Sequence, residues 1–342
     1  MIDISIITSV YNTQPEYLKD YIESIMRQTY QNFEVIIVDD GSKSTETIDF
    51  LKDIQSKYCE KVSVFFQEKN QGISASRNYA LEKARGEYIC VIDSDDYYAD
   101  YFLEKMIEPV KQDSGIDMVV CSGYTCVDEN KNKLGENLTP IDDKLDFFFF
   151  RMPTGTRLIK RKLLIDNQIN FPAGTVYEDN AFCIAAVLYA GKLKHVDHYG
   201  YINRQHGESY SHGYRYQTLT VDQIPCKYIE KYVYAGDALN IAEPMKKAAA
   251  QGAVMSVLIT CACFFCRKSE REQINAVVSC VNDFIEKNIG NRNSGKYIRL
   301  WCKYCSYRFA EKMINVCYES ARKFHCEKGY IFLLHRLLNS FR

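Results

Sequence analysis

Two apolar, β-branched runs with a helix-period segment between them open the chain. Residues 3–10 (DISIITSV) and 33–38 (FEVIIV) show little polar alternation, the pattern of strands buried on both faces. Between them, Leu18, Ile22, Ile25 and Met26 recur at helical spacing. Strand, helix, strand predicts a βαβ unit with a right-handed crossover and a parallel sheet. The alternation continues with a helix over 45–58, a strand over 62–67, a helix over 74–84 and a strand over 88–92. A helix to about Lys111, a strand over 117–124 and a polar, hairpin-like stretch through Pro140 follow. Beyond Gly213 turn signals thin out and helix formers dominate. The predicted fold class is therefore α/β: a doubly wound, mostly parallel, Rossmann-like sheet over 1–212, and a smaller α-helical domain over 213–342.

An open sheet of this kind takes its ligand beyond the carboxyl ends of its strands. The residues there are Thr8 to Asn12, Asp39-Asp40-Gly41-Ser42, Gln67 to Gly72 and Asp93-Ser94-Asp95-Asp96. No G-x-G-x-x-G follows a strand and no P-loop is present, so dinucleotide and P-loop triphosphate chemistry lack their motifs. What stands at the strand ends is acidic. Two close carboxylates, Asp93 and Asp95, suit Mg²⁺ or Mn²⁺ held largely through a substrate's phosphates. The plainer reading is an N-cap, with Asp95 or Asp96 starting the next helix.

Six motifs in order carry a resemblance. They are Ser5-Ile6-Ile7-Thr8-Ser9-Val10-Tyr11-Asn12, Val38-Asp39-Asp40-Gly41-Ser42, Asn70-Gln71-Gly72-Ile73-Ser74 through Arg77-Asn78, Gly86-Glu87-Tyr88, Asp93-Ser94-Asp95-Asp96 and Tyr177-Glu178-Asp179. Together they resemble glycosyltransferase family 2, inverting enzymes of GT-A fold, over about the first 210 residues. The resemblance implies a nucleotide-sugar half over 1–100 and an acceptor half over 101–212. It implies that Ser9 and Tyr11 line the nucleotide pocket, and that Asp40 accepts the uracil N3–H, a donor that cytosine lacks. It places Arg77 near the base and phosphates, makes Asp93 and Asp95 the metal-binding D-x-D, and makes Asp179 of the Glu178-Asp179 pair the catalytic base. It further implies that 201–211 folds over the diphosphate, with His206 a further metal ligand or phosphate donor and Arg204 a phosphate clamp.

The expected activity is metal-dependent transfer of a hexose or N-acetylhexosamine from a UDP-sugar to a hydroxyl of a growing surface glycan or lipid-linked oligosaccharide. No Q-x-x-R-W is present, which favours single-sugar addition over polymer synthesis. Arg157, Lys160 and Arg161 are expected in the acceptor wall. Two rival readings are a sugar-nucleotide nucleotidyltransferase and a non-catalytic glycan-assembly scaffold. The first should carry a basic Gly-rich loop that Ser9 to Gln14 lacks.

Composition adds little, and charge adds more. With 46% hydrophobic and 25% charged residues over 342 positions, wholesale disorder and a multi-span membrane protein are excluded. The net charge of −1 hides an asymmetry: residues 291–342 hold 11 Lys and Arg against 3 acids, a net of +8. The expected partner of that tail is an anionic membrane surface rather than nucleic acid, with a solvated helix face as the plainer alternative. The start of the chain has no signal-peptide pattern, so a cytoplasmic protein, peripheral at the inner face of the membrane, is expected. Residues 248–266 carry no charge for nineteen positions and are expected to form a core helix rather than a span. The 14 cysteines are expected as reduced, mostly buried thiols, and Cys263/Cys266 with Cys302/Cys305 not as a zinc site. Phe147 to Phe150 is expected to be a buried face.

Overall fold

The runs of Val and Ile without polar alternation become the centre of a sheet covered on both sides. In the computed structural model, which describes residues 2–121, 123–138, 147–148, 153–198, 200–207, 220–235, 241–254 and 271–289, the chain opens with β1 (Ile4–Val10), α1 (Pro15–Met26), β2 (Phe33–Asp39), α2 (Thr45–Lys57), β3 (Val62–Phe66), α3 (Ile73–Lys83) and β4 (Tyr88–Val91). Every residue of β2 and β4 is buried, and so are six of the seven in β1. α1 starts at a proline in its first turn and buries Tyr17, Leu18, Tyr21, Ile22, Ser24 and Ile25. α2 is capped by the Ser44 side chain, which accepts from Thr47 N–H at 3.2 Å.

The chain continues through β5 (Tyr97–Tyr98), α4 (Phe102–Gln112), β6 (Met118–Cys121), β7 (Gly123–Val127), β8 (Lys133–Leu138), β9 (Arg157–Lys160), α5 (Arg161–Asp166), α6 (Glu178–Tyr189), β10 (Leu193–Val196) and β11 (Tyr201–Arg204). The main sheet has the order β10-β6-β9-β4-β1-β2-β3. All its pairings are parallel except those of β9, which runs antiparallel between β4 and β6. The mostly parallel α/β expectation holds. The single strand expected over 117–124 is instead two: β6 stays in the main sheet and β7 leaves it for a second sheet of order β5-β11-β7-β8. The polar stretch before Pro140 contains the β7–β8 hairpin, whose turn is closed by Asp128 accepting from Asn132 N–H at 2.8 Å.

Two compact units result. The first is Met1–Ile141 with Met152–Ala173 and Tyr189–His206; the second is Asp142–Arg151, Gly174–Leu188 and Gly207–Arg342. These units do not coincide with a division at residue 212: almost all of α6 clusters with the C-terminal helices. The second unit's described helices after α6 are α7 (Cys226–Ala235), α8 (Glu243–Ala253) and α9 (Arg271–Asn288). α6 buries Ala181 to Leu188 without a polar face, the mark of a helix enclosed within its unit. Phe147 and Phe148 are buried, and α8 passes so close to Phe148 that a Cβ on Gly252 would overlap its backbone.

Among the described residues no helix is long and apolar enough to cross a membrane. Of the uncharged stretch, Ala248–Val254 is described, and its alanines are buried. The remainder to 266, the basic tail, both Cys-x-x-Cys pairs and Phe149 and Phe150 lie outside the described residues. The described cysteines are thiols, and burial pushes those of Cys90 and Cys121 up to about 12, so neither is a nucleophile near neutrality.

Candidate active site

Strand polarity decides where chemistry gathers. The carboxyl ends of β1, β2, β3 and β4 lie along one edge of the sheet, and their loops are tied to one another by side chains. Asn12 N–H donates to Ser42 Oγ at 2.8 Å, while Asn12 Oδ1 accepts from Lys43 N–H at 2.8 Å and Ser44 N–H at 3.1 Å. The Thr13 and Ser94 hydroxyls are 2.7 Å apart. Gly41 is required by geometry: its φ is +70°, and a Cβ there would sit 2.6 Å from the Lys69 carbonyl carbon. Thr8 turns inward to the Tyr21 hydroxyl at 2.7 Å, which leaves half-buried Ser9 on the opposite face of β1. Tyr11, just past β1, is 46% exposed.

Asp40, for which the resemblance implies a base contact, already has two partners in the chain. It is buried, and its two oxygens accept Gln71 N–H at 2.8 Å and Gly72 N–H at 2.9 Å. Its charge holds the loop that leads into α3. Asp39, equally buried, accepts Ser42 N–H at 3.1 Å, and burial raises its carboxyl above the usual range.

Asp93, Asp95 and Asp96 each offer a carboxylate oxygen, all within 4.8 Å of one another. They are not equivalent. Asp96 is buried and takes hydrogen bonds from the Tyr201 hydroxyl, Asn203 Nδ2 at 3.0 Å and Arg204 N–H at 2.8 Å. Burial and the adjacent Asp95 and Asp93 charges push its carboxyl well above the usual carboxylate range. Asp96 therefore anchors the turn to β11, leaving Asp93 and Asp95 as the half-exposed pair. Arg77 Nη2 donates to Asp93 Oδ1 at 2.5 Å, and its guanidinium lies 5.1 Å from the centre of the Phe171 ring. The same face of α3 grips 171–172 through Asn78, which exchanges hydrogen bonds with the Phe171 backbone, and Ser74, which donates to Pro172 O at 2.8 Å. His206 Nε2 is 2.8 Å from Asp95 Oδ2. Two half-exposed carboxylates with an imidazole beside one of them form a donor set that fits Mg²⁺ or Mn²⁺.

Arg204 is not aimed outward as a clamp. Its side chain is 2% exposed, with Nη2 on Asp20 Oδ2 at 2.6 Å and Nε on Asp95 O at 3.0 Å. Tyr17 and Tyr97 lie 4.5 and 5.4 Å from the guanidinium. Freeing a buried paired guanidinium costs several kcal/mol, roughly 3–5, so it stays with these partners. Asp20 was missed by sequence reasoning. Its one signal is its place three residues after the buried Tyr17, on the same face of α1.

The expected acceptor wall is divided by register. β9 pairs antiparallel with β4, Leu158 opposite Cys90 and Lys160 opposite Tyr88, so Arg157 lies at the carboxyl edge and Lys160 and Arg161 at the other. Lys160 Nζ donates to Ser114 O at 2.6 Å and Arg161 Nε to Gly86 O at 3.0 Å, which fixes both at the far edge. In the second unit, Glu178 is buried and Asp179 half-buried at the start of α6, where Asp179 Oδ1 accepts Asn180 N–H at 2.8 Å. Tyr177 before them has φ +55°, a left-handed conformation that an aromatic residue rarely adopts.

A sequence profile of glycosyl transferase family 2 matches residues 5–183, more than half of the chain. The chain belongs to glycosyl transferase family 2. Glycosyltransferase GlyG of Streptococcus pneumoniae is 30% identical over 223 residues, which cover 60% of this chain and 72% of that protein. The fold is similar to that of S. aureus TarS 1-349, solved with UDP-GlcNAc: TM-score 0.69 at 20% identity, covering 94% of this chain and 92% of that one. The likeness fixes the fold as GT-A. A mannosyltransferase from Pyrobaculum calidifontis, solved with GDP-Man and Mn²⁺, gives a TM-score of 0.50 at 13% identity over 98% of this chain and 86% of that one.

Proposed function

We propose that this glycosyltransferase moves a hexose or N-acetylhexosamine from a UDP-sugar to a hydroxyl of a growing surface glycan or lipid-linked oligosaccharide, with inversion at the anomeric carbon. The observation that carries the reading is the half-exposed Asp93–Asp95 pair at the carboxyl edge of the sheet, with His206 on Asp95. Asp93, Asp95 and His206 would hold Mn²⁺ or Mg²⁺. When bound, such a cation offsets the charge that develops on the diphosphate leaving group. TarS, with UDP-GlcNAc, supports a UDP-sugar donor, and the mannosyltransferase, with Mn²⁺, supports the cation.

In this reading Ser9 and Tyr11 line the nucleotide pocket, with Tyr11 offering a ring face to the base. Asp40 shapes the pocket by holding the 71–72 backbone, and Arg77 fixes Asp93. Asp179 is the base: it takes the acceptor hydroxyl's proton as that oxygen bonds to the anomeric carbon. The bond from that carbon to the diphosphate oxygen breaks, and UDP leaves with the electron pair. Glu178, buried beside it, supports the turn that presents Asp179. The site of action is the cytoplasmic face of a membrane, with the basic tail as the anchor.

The test is thermal unfolding of the full chain with Mn²⁺ and a panel of nucleotide sugars, since a ligand bound only by the native state raises the melting temperature. Stabilisation by UDP-sugars that requires Mn²⁺ is expected. Stabilisation by GDP-sugars alone would move the donor class, and none by any nucleotide would remove the reading.

A further inference from the structure

We infer that Asp20 is a positioning residue for this site, acting through Arg204 on the orientation of Asp95. The inference rests on the reading of Asp95 as a cation ligand and deepens it. Asp20 lies on α1, outside every motif at the strand ends, and its carboxylate is divided between two cations: Oδ2 to Arg204 Nη2 at 2.6 Å and Oδ1 to Lys131 Nζ at 2.6 Å. Those two hydrogen bonds hold its carboxyl below the usual range against the opposing effect of burial.

The Arg204 guanidinium then joins two elements in two directions. Nη2 points to α1, and Nε points to the carbonyl of Asp95 at 3.0 Å. The Arg204 backbone N–H holds Asp96 at 2.8 Å, so one residue grips two consecutive residues of the acidic turn. His206, two residues on, takes Asp95 from the side-chain end at 2.8 Å and packs against Tyr17, the ring centres 4.9 Å apart and the planes tilted by 45°. Tyr17 is also the ring beneath Arg204. Asp95 is thus held at its carbonyl and at its carboxylate, and both grips rest on one turn of α1.

Charge explains why an acid stands at position 20. A guanidinium this close to Asp95, without Asp20, would satisfy itself on the Asp95 carboxylate and neutralise the ligand. Asp20 draws it the other way. A lysine at 204 could keep the ion pair but not the fork that reaches the Asp95 carbonyl at the same time.

The experiment is calorimetric titration of UDP into the full chain, with and without Mn²⁺, beside thermal unfolding, for wild type, Asp20→Asn, Arg204→Lys and Lys131→Met. Partners that orient metal ligands typically affect metal affinity by about 10–100-fold. Asp20→Asn and Arg204→Lys are expected to lose that much Mn²⁺-dependent UDP affinity while keeping the metal-free affinity, with Asp20→Asn also unfolding at a lower temperature because it frees a buried guanidinium. Lys131→Met, an exposed partner, should change little. A purely structural role would lower the metal-free and the Mn²⁺-dependent affinity by the same factor, and that result overturns the inference. Mn²⁺-dependent affinity equal to wild type in both Asp20→Asn and Arg204→Lys also overturns it. If the wild type shows no Mn²⁺-dependent UDP binding, the reading of Asp95 fails first and takes the inference with it.

Discussion

Asp93, Asp95 and Asp96 are one sequence motif with two physical roles, and burial separates them. Asp96 is enclosed by Tyr201, Asn203 and Arg204, whereas Asp95 is half-exposed with His206 at its carboxylate. Asp95→Ala should therefore abolish Mn²⁺-dependent UDP binding in calorimetry with the fold retained, and unchanged affinity would remove the metal assignment. Asp96→Ala should instead unfold more easily, because it strands three donors. Where these residues stand was legible, since Tyr11, Asp40, Asp93 and Asp95 come just after buried strands, Ser9 is near the end of one and Arg77 is in the first half of α3, where a local pattern suffices. What stayed hidden was which partner each charge has within the chain: Arg204 is paired with Asp20, and Asp40 accepts from the 71–72 backbone. Such pairings join residues 184 positions apart, as Asp20 and Arg204 are, and no local spacing encodes them. Asp179 tests the chemistry separately from binding. Asp179→Asn keeps the shape but cannot accept a proton, so transfer should fall by roughly 10²–10⁴-fold while UDP-sugar affinity stays. Glu178→Gln should be milder; the reverse order in a transfer assay would move the base to Glu178.

At the scale of elements, the amino edge of the sheet is fastened by a second buried acid that has no part in the chemistry. Glu34 of β2 accepts Ser5 Oγ at 2.7 Å, Arg85 N–H at 2.7 Å and Arg85 Nε at 2.8 Å, and Ser5 Oγ accepts Gly86 N–H at 2.8 Å. One side chain thereby joins β1, β2 and the turn into β4. Burial would raise the Glu34 carboxyl, and the Ser5 and Arg85 hydrogen bonds outweigh it, so it lies below the usual range. The folded state therefore binds this proton less readily than the unfolded state. The stabilisation is complete above the unfolded value of about 4.3 and is lost as pH falls through the lowered folded value. Glu34→Gln should cost about 1–3 kcal/mol near neutrality by urea unfolding, and the gap to wild type should narrow in acid. A gap that does not change with pH would contradict the ionic role. The elements themselves were legible from β1 to β4 because both-face burial leaves an unbroken apolar run. β9 was not, since Arg157-Leu158-Ile159-Lys160 reads as a basic patch, and only its antiparallel register against Cys90 and Val120 makes it a central strand. The same register sends Lys160 and Arg161 to the amino edge of β4, away from Asp93 and Asp95.

For the molecule as a whole, the charge distribution carries an expectation that the contacts do not. Residues 291–342 bear a net +8 and the rest of the chain a net −9, a separation that neither solubility nor folding requires. Two partners compete for the basic segment: the acidic remainder of the same chain, or an anionic surface. A donor such as a UDP-sugar is water-soluble, but a lipid-linked acceptor is confined to a bilayer, so an enzyme held at that bilayer meets its acceptor more often. Each Lys or Arg near an anionic bilayer contributes about 1 kcal/mol, and the segment holds 11 of them interleaved with Trp301, Tyr304, Phe309, Phe324 and Phe332, a composition that favours such a surface. The full chain should co-sediment with vesicles containing anionic lipid and not with neutral ones. Because the screening length shrinks from about 10 Å at 0.1 M salt to about 3 Å at 1 M, retention should fall steeply over that range. Equal partition onto neutral vesicles would mean apolar insertion rather than charge. No retention on either would mean that the basic segment is satisfied within its own chain, and the acceptor would then be sought among soluble glycans.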